Sequence, residues 1–137
     1  MSPFGRLLSG GNSNSERKDD IVGYAAMWLM VDEAHLTSIA VKQSHRRQGI
    51  GELLLISTIE LAMRLKSQVV TLETRVSNQS AKALYQKYGF ATTGIRRGYY
   101  SDDGEDAVIM TTSSIASDEY RSMFQRLKLD YIQRWGL

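Results

Sequence analysis

A chain of 137 residues is one domain's worth of sequence, large enough for a hydrophobic core and too short for two. Its net charge of +2 is too small to argue for nucleic acid by itself, and the lack of cysteine excludes disulfides, thiolate metal sites and a cysteine nucleophile. The longest apolar run, Ile21–Val31, is too short to cross a bilayer and the first residues lack the apolar core of a signal peptide, so the expected compartment is the cytoplasm.

Residues 1–20 are rich in Gly, Ser and Asn, and Gly10-Gly11-Asn12-Ser13-Asn14-Ser15 reads as a flexible tail. Ile21–Val31 and Ala34–Val41 are extended runs about a polar Asp32-Glu33 turn, which predicts an antiparallel hairpin. Between Ile50 and Lys66, Ile50, Leu54, Leu55, Leu61, Ala62 and Leu65 recur near helical period, and Arg64 and Lys66 suit a helix C-terminus. The β-branched run Val69–Glu73 then predicts a strand parallel to Leu36–Val41, closing a right-handed βαβ unit with Glu73 on the face of Val69 and Thr71. Asn78 can cap a further helix carrying Ala81, Leu84, Tyr85 and Tyr88 on one side, which Gly89 ends.

Ala91–Tyr100 and Ala107–Thr112 predict a closing hairpin joined through Ser101-Asp102-Asp103-Gly104. Ser117 caps a last amphipathic helix, with Asp118 and Glu119 in its first turn and Tyr120, Met123, Phe124, Leu127 and Tyr131 on one face. No internal repeat is present.

The stretch Arg46-Arg47-Gln48-Gly49-Ile50-Gly51 organises this order of elements, because it lies between a strand and the first helix. Glycine lets backbone N–H groups approach a ligand closely, a helix N-terminus favours negative charge, and arginine supplies forked donors for phosphate oxygens. Two readings follow: a pyrophosphate cradle, or a basic loop capping an ordinary helix. By residue type alone, Glu73 at a strand end is a solvated carboxylate and Tyr85 on an apolar helix face is a packing residue.

Five stretches taken together resemble the GNAT acetyltransferases: Ile39-Ala40-Val41, the Arg46–Gly51 turn, Leu72-Glu73-Thr74-Arg75-Val76-Ser77-Asn78, Ala83-Leu84-Tyr85 and Tyr88-Gly89-Phe90. Within that family, Arg96-Arg97-Gly98-Tyr99-Tyr100 followed by Gly104-Glu105-Asp106-Ala107 is similar to the RimI type, bacterial N-terminal alanine acetyltransferases of a small-ribosomal-subunit protein. The resemblance runs from about Val22 to Met110. It implies a mixed α/β GNAT fold in residues 21–113, shortened at the N-terminus and followed by an extra C-terminal helix in 114–137.

The resemblance further implies acetyl-CoA as donor, with no metal. Its pantetheine arm would lie along Ile39, Ala40 and Val41, where a backbone N–H can polarise the thioester carbonyl, and its pyrophosphate on the turn at Arg46, Arg47, Gln48, Gly49, Ile50, Gly51 and Glu52. Asn78 matches a further donor contact, Glu73 the general base and Tyr85 the acid that protonates the leaving thiolate. Tyr99 and Tyr100 are the candidate acceptor-binding residues, beside an acidic cluster of Asp102, Asp103, Glu105 and Asp106 that either attracts a basic peptide or is a solvated turn. His35 and His45 read as turn or surface residues.

The implied activity is acetyl transfer to a protein α-amine by direct attack in a ternary complex, with a ribosomal protein as the implied partner and neither nucleic acid nor membrane involved. An α-amine of pKa about 7.8 is roughly a tenth neutral at pH 7, whereas a lysine near 10.4 is neutral to only about 0.04%, a difference of about 3.5 kcal/mol. Acetylation of lysine or a small amine is the alternative, as is an inactive acyl-CoA-binding module. In the family, a strand, two helices and another strand usually precede the region that starts here near Ile21, and the loop between those helices helps form the acceptor site; the donor site, whose elements all lie after Leu36, is expected to be retained. The last helix is expected to pack on the sheet; a homodimer through it is the weaker expectation.

Overall fold

The computed structural model describes residues 21–136. Its elements are β1 (Gly23–Met30), β2 (Glu33–Val41), a 3-10 turn (Gln43–His45), α1 (Ile50–Arg64), β3 (Val69–Arg75), α2 (Gln79–Lys87), β4 (Phe90–Arg96), β5 (Ala107–Thr112) and α3 (Asp118–Trp135). The tail expected in residues 1–20 lies outside the described residues. The five strands form one mixed sheet in the order β1-β2-β3-β5-β4, in which β2 and β3 run parallel and every other pair is antiparallel.

The parallel pair is shorter than the sequence suggests. Pairing joins Glu33–Leu36 to Val69–Leu72 and then stops, so the predicted partner segment Leu36–Val41 is mostly the part of β2 that has left β3. The cause lies on the other side of β2. Ala26 pairs with Ser38 but Met27 pairs with Leu36, leaving Thr37 as an extra residue whose hydroxyl donates to the Ala26 carbonyl at 3.1 Å. A bulge of this kind bends its strand and increases the local twist. Two unpaired strand edges therefore face each other, Thr37–Val41 and Glu73–Arg75.

Alternation along β2 and β3 buries Ala34, Leu36, Val70 and Leu72 on one face, against α1. Around α1, burial extends through every residue of Glu52–Ile59 rather than along one stripe. A helix covered on several sides needs a second neighbour. That neighbour is α3, whose Lys128 pairs with Glu60 of α1 and whose Phe124 and Tyr131 join the same core. Each fully buried Leu or Ile of α1 contributes about 1.5–3 kcal/mol, and truncating Leu55 to alanine would cost about 2–5 kcal/mol.

The caps agree with the sequence. Asn78 accepts from the Ala81 N–H at 3.1 Å and Ser117 from the Tyr120 N–H at 3.1 Å. The start of α3 is fixed further by Tyr120, whose hydroxyl donates to the Tyr88 carbonyl at 2.8 Å. The closing hairpin differs from expectation: β4 ends at Arg96, and Tyr99 and Tyr100 lie in the connection to β5. No helix among the described residues is long and apolar enough to cross a membrane, and no group of three metal-ligating side chains occurs among them.

Candidate active site

Where β2 and β3 part, the sheet opens into a cavity of about 280 Å³ lined by Thr37, Ile39, Glu73, Asn78, Tyr85 and Tyr100, among others. A second groove, of about 650 Å³, carries on from it along the Ile39-Ala40-Val41 edge to the turn before α1, and shares Ile39, Asn78 and Tyr85 with the first. Arg46, Arg47, Gly49, Ile50, Gly51 and Glu52 also line this groove; Gln48 is exposed within the same turn.

The turn is shaped to present backbone donors. Arg47 has φ 65 and Gly49 φ 77, so two residues in three adopt the left-handed conformation, at a cost of roughly 1–2 kcal/mol for the arginine. Helical hydrogen bonding begins with the Leu53 N–H to the Gly49 carbonyl at 3.0 Å. The N–H groups of Ile50, Gly51 and Glu52 thus have no helical acceptor and form, with the arginines, a site suited to anionic oxygens. A Cβ on Gly51 would meet only the Val41 side chain, at 4.0 Å, so the space above it is open.

Glu52 carries its charge next to this turn. Burial pushes its carboxyl up, but the Tyr88 hydroxyl at 2.5 Å, Lys87 at 3.0 Å and Arg134 at 3.5 Å together hold its pKa below the ordinary carboxylate value. Asn78 uses its side-chain oxygen to cap α2, which leaves its amide N–H groups as the donors available to the groove.

Glu73 sits at the cavity with 9% of its side chain exposed. The Nε2 of His35 is 2.5 Å from one carboxylate oxygen and the Nε–H of Arg96 donates to the other at 3.2 Å. His35 was expected at a turn or surface. Instead it lies in β2 opposite Thr71, and because parallel strands carry alternate residues on one face, it falls beside Glu73 two residues on. The signal was present in the alternation of Ala34 and Leu36, which sends His35 to the opposite face, but only the inter-strand register names its partner. His45 is in the 3-10 turn, beside the Ser44 hydroxyl.

Tyr85 approaches the cavity from α2 and stacks in tilted fashion on Phe90, with ring centroids 5.8 Å apart. Burial, with a smaller contribution from Tyr100, pushes its hydroxyl above the ordinary value, so it remains protonated at neutral pH and able to donate. Tyr100 lines the cavity; Tyr99 stays at the rim, half exposed and edge-on to Tyr100 at 5.2 Å.

The acidic cluster lies on an exposed turn, as the solvated-turn reading expects, but its carboxylates have partners. Arg75 binds Asp102 at 3.0 Å, Asp103 at 2.9 Å and Glu105 at 3.1 Å, while Glu105 also accepts from the Ser77 N–H at 2.8 Å. Asp106 is turned to the Gly98 N–H at 2.8 Å. The cluster is a clasp that ties the β4–β5 connection to the end of β3, and the Arg75 guanidinium stacks on the Tyr100 ring at 4.0 Å.

The profile of the Acetyltransferase (GNAT) family matches residues 9–90. The chain belongs to the GNAT acetyltransferase family. It is 43% identical over 95 residues to a Bacillus subtilis (strain 168) protein described as a candidate ribosomal protein bS18-alanine N-acetyltransferase, covering 69% of this chain and 63% of that one. An N-alpha-acetyltransferase of Sulfurisphaera tokodaii is 43% identical over 82 residues, 59% of this chain and 48% of that one. The crystal structure of the ribosomal-protein-S18-alanine N-acetyltransferase from Escherichia coli superposes with a TM-score of 0.66 at 34% identity, over 80% of this chain and 77% of that one. The GNAT chain thus spans less than two thirds of the curated relatives' length.

Proposed function

We propose that this GNAT chain transfers the acetyl group of acetyl-CoA to the α-amine of a polypeptide, with an N-terminal alanine of a ribosomal protein as the first acceptor to examine. In this reading residues 21–113 are the transferase and residues 114–137 the helix braced against it, working in the cytoplasm and without a metal. The observation that carries it is that Glu73 and Tyr85 line one cavity, continuous with the groove that ends at the phosphate turn. The bacterial relatives named for an alanine of a ribosomal protein support the acceptor.

The donor's pyrophosphate lies on the N–H groups of Ile50, Gly51 and Glu52 with the Arg46 and Arg47 side chains, and its pantetheine arm along the free edge of Ile39–Val41. Gln48 completes the turn, and Asn78 adds an amide donor. An amine then attacks the thioester carbonyl from the side of Glu73. The C–N bond forms, the C–S bond breaks, the amine's proton passes to Glu73 and the thiolate takes the proton of Tyr85. Engagement by His35 and Arg96 does not disable Glu73, because a carboxylate offers about four lone-pair sites and these two donors use two. They fix its orientation. Tyr100 and, at the rim, Tyr99 border the acceptor's path.

An α-amine needs about 3.5 kcal/mol less deprotonation than a lysine at pH 7, which suits a single carboxylate base. The test compares initial rates on a short peptide beginning with alanine and on the same peptide with a blocked N-terminus and an internal lysine. Acetyl should appear on the first only. Faster modification of the lysine peptide would replace the α-amine reading with the lysine one.

A further inference from the structure

The last two turns of α3 reach the phosphate turn at three points. Tyr131 donates its hydroxyl to the Gly49 carbonyl at 2.7 Å, the same oxygen that starts the hydrogen-bond ladder of α1. Trp135 lies against Gly49 so closely that a Cβ built there would stand 2.5 Å from its indole. Arg134 pairs at 3.5 Å with the Glu52 oxygen that Lys87 of α2 takes at 3.0 Å.

Each contact answers a problem the turn poses. A residue with a Cβ, such as Arg47 at φ 65, keeps a left-handed backbone only where its surroundings over-determine it. Tyr131 and Trp135 supply that constraint by holding Gly49, two residues on. The ionised carboxylate of Glu52 would oppose a bound diphosphate, and Arg134 shares with Lys87 the task of offsetting it. Burial, with the Glu52 charge as a smaller cause, pushes the Tyr131 hydroxyl up to about 12, so it stays a donor throughout the working range of pH.

We propose that Tyr131, Arg134 and Trp135 are positioning residues for acetyl-CoA: the C-terminal helix holds the phosphate turn in its binding shape and supplies part of its countercharge. The proposal rests on the transferase reading above and places a determinant of donor affinity outside every stretch that carries the family resemblance. The three residues act through the turn, so their loss raises KM for acetyl-CoA and leaves kcat at saturating donor unchanged.

The experiment is calorimetric titration of the full chain with CoA and acetyl-CoA, repeated for Tyr131→Phe, Trp135→Ala and Lys128→Gln, with melting of each variant as a check on folding. Tyr131→Phe should weaken both ligands about three- to tenfold, the range of one lost hydrogen bond, and Trp135→Ala should weaken them further. Lys128→Gln removes the contact with Glu60, one turn earlier on α3; it should lower Tm without moving the Kd for CoA. A Trp28→Phe chain provides a second readout, because Trp135 is then its one tryptophan and its emission should change saturably with CoA.

Folded Tyr131→Phe and Trp135→Ala proteins that bind CoA as tightly as the unsubstituted chain, or more tightly, would overturn the role of α3 and leave the transferase reading standing. An emission from Trp135 that ignores saturating CoA would do the same. Failure of the unsubstituted chain to bind either ligand would overturn both.

Discussion

On the side of the β2–β3 opening proposed for the donor, the groups offered to a ligand are mostly backbone: the strand edge at Ile39–Val41 and the first N–H groups of α1, backed by a buried helix and by α3. On the side proposed for the acceptor they are side chains drawn from three strands, His35, Glu73 and Arg96, on the sheet face that also exposes Trp28. A backbone site is indifferent to most side-chain changes and vulnerable to any added Cβ that a ligand would touch. A side-chain site reverses both sensitivities, and single truncations remove its chemistry without changing the fold.

The sharpest break of that contrast is chemical. Tyr85→Phe keeps the ring against Phe90 and removes the hydroxyl, so kcat should fall on the order of 10²-fold while the Kd for acetyl-CoA stays constant; rapid single-turnover kinetics would show it. Next come the glycines. Gly49→Val places a branched side chain at φ 77 into the Trp135 indole and should lower both Tm and donor affinity, the latter on the order of 10²-fold. Gly51→Val should spare Tm, since its Cβ meets only Val41 at 4.0 Å, yet still weaken acetyl-CoA; equal loss of Tm in the two variants would remove the distinction between a braced and an open glycine.

On the other side of the opening, His35→Ala frees one oxygen of Glu73 and should reduce kcat about tenfold with KM for acetyl-CoA unmoved. An effect on KM for the donor instead would mean that the two sides are not separable.

The smallest effect is on stability. The folded pKa of Glu52 lies below its ordinary value of 4.5, so between the two the unfolded chain binds more protons and stability rises with pH. The contribution is complete above about 4.5 and is lost as pH falls through the lowered folded value. Glu52→Gln should therefore melt lower than the unsubstituted chain at neutral pH, with the gap closing in acid. A gap independent of pH would show that shape, not charge, holds this residue.

The same contrast explains what could be read from sequence. The glycine turn before α1, the caps Asn78 and Ser117 and the apolar face of α3 are local patterns, decided by residues within a few positions of one another. The point at which β2 leaves β3 is not local, because the bulge at Thr37 exists only relative to β1. His35 meets Glu73 across 38 positions, and Arg75 gathers carboxylates 27 to 30 positions away. Tyr131 meets Gly49 across 82. Helical spacing placed Tyr131 on a buried face, but the identity of its partner depends on the whole chain being folded.

The most direct measurement takes the unsubstituted chain and Glu73→Gln side by side, determines the Kd for acetyl-CoA of each, and counts by mass spectrometry the acetyl groups placed on the α-amine of a peptide beginning with alanine. Donor binding should be equal in the two proteins, and α-acetylated peptide should come from the unsubstituted chain alone. Equal transfer by Glu73→Gln, or donor binding with no transfer by either protein, would contradict this expectation.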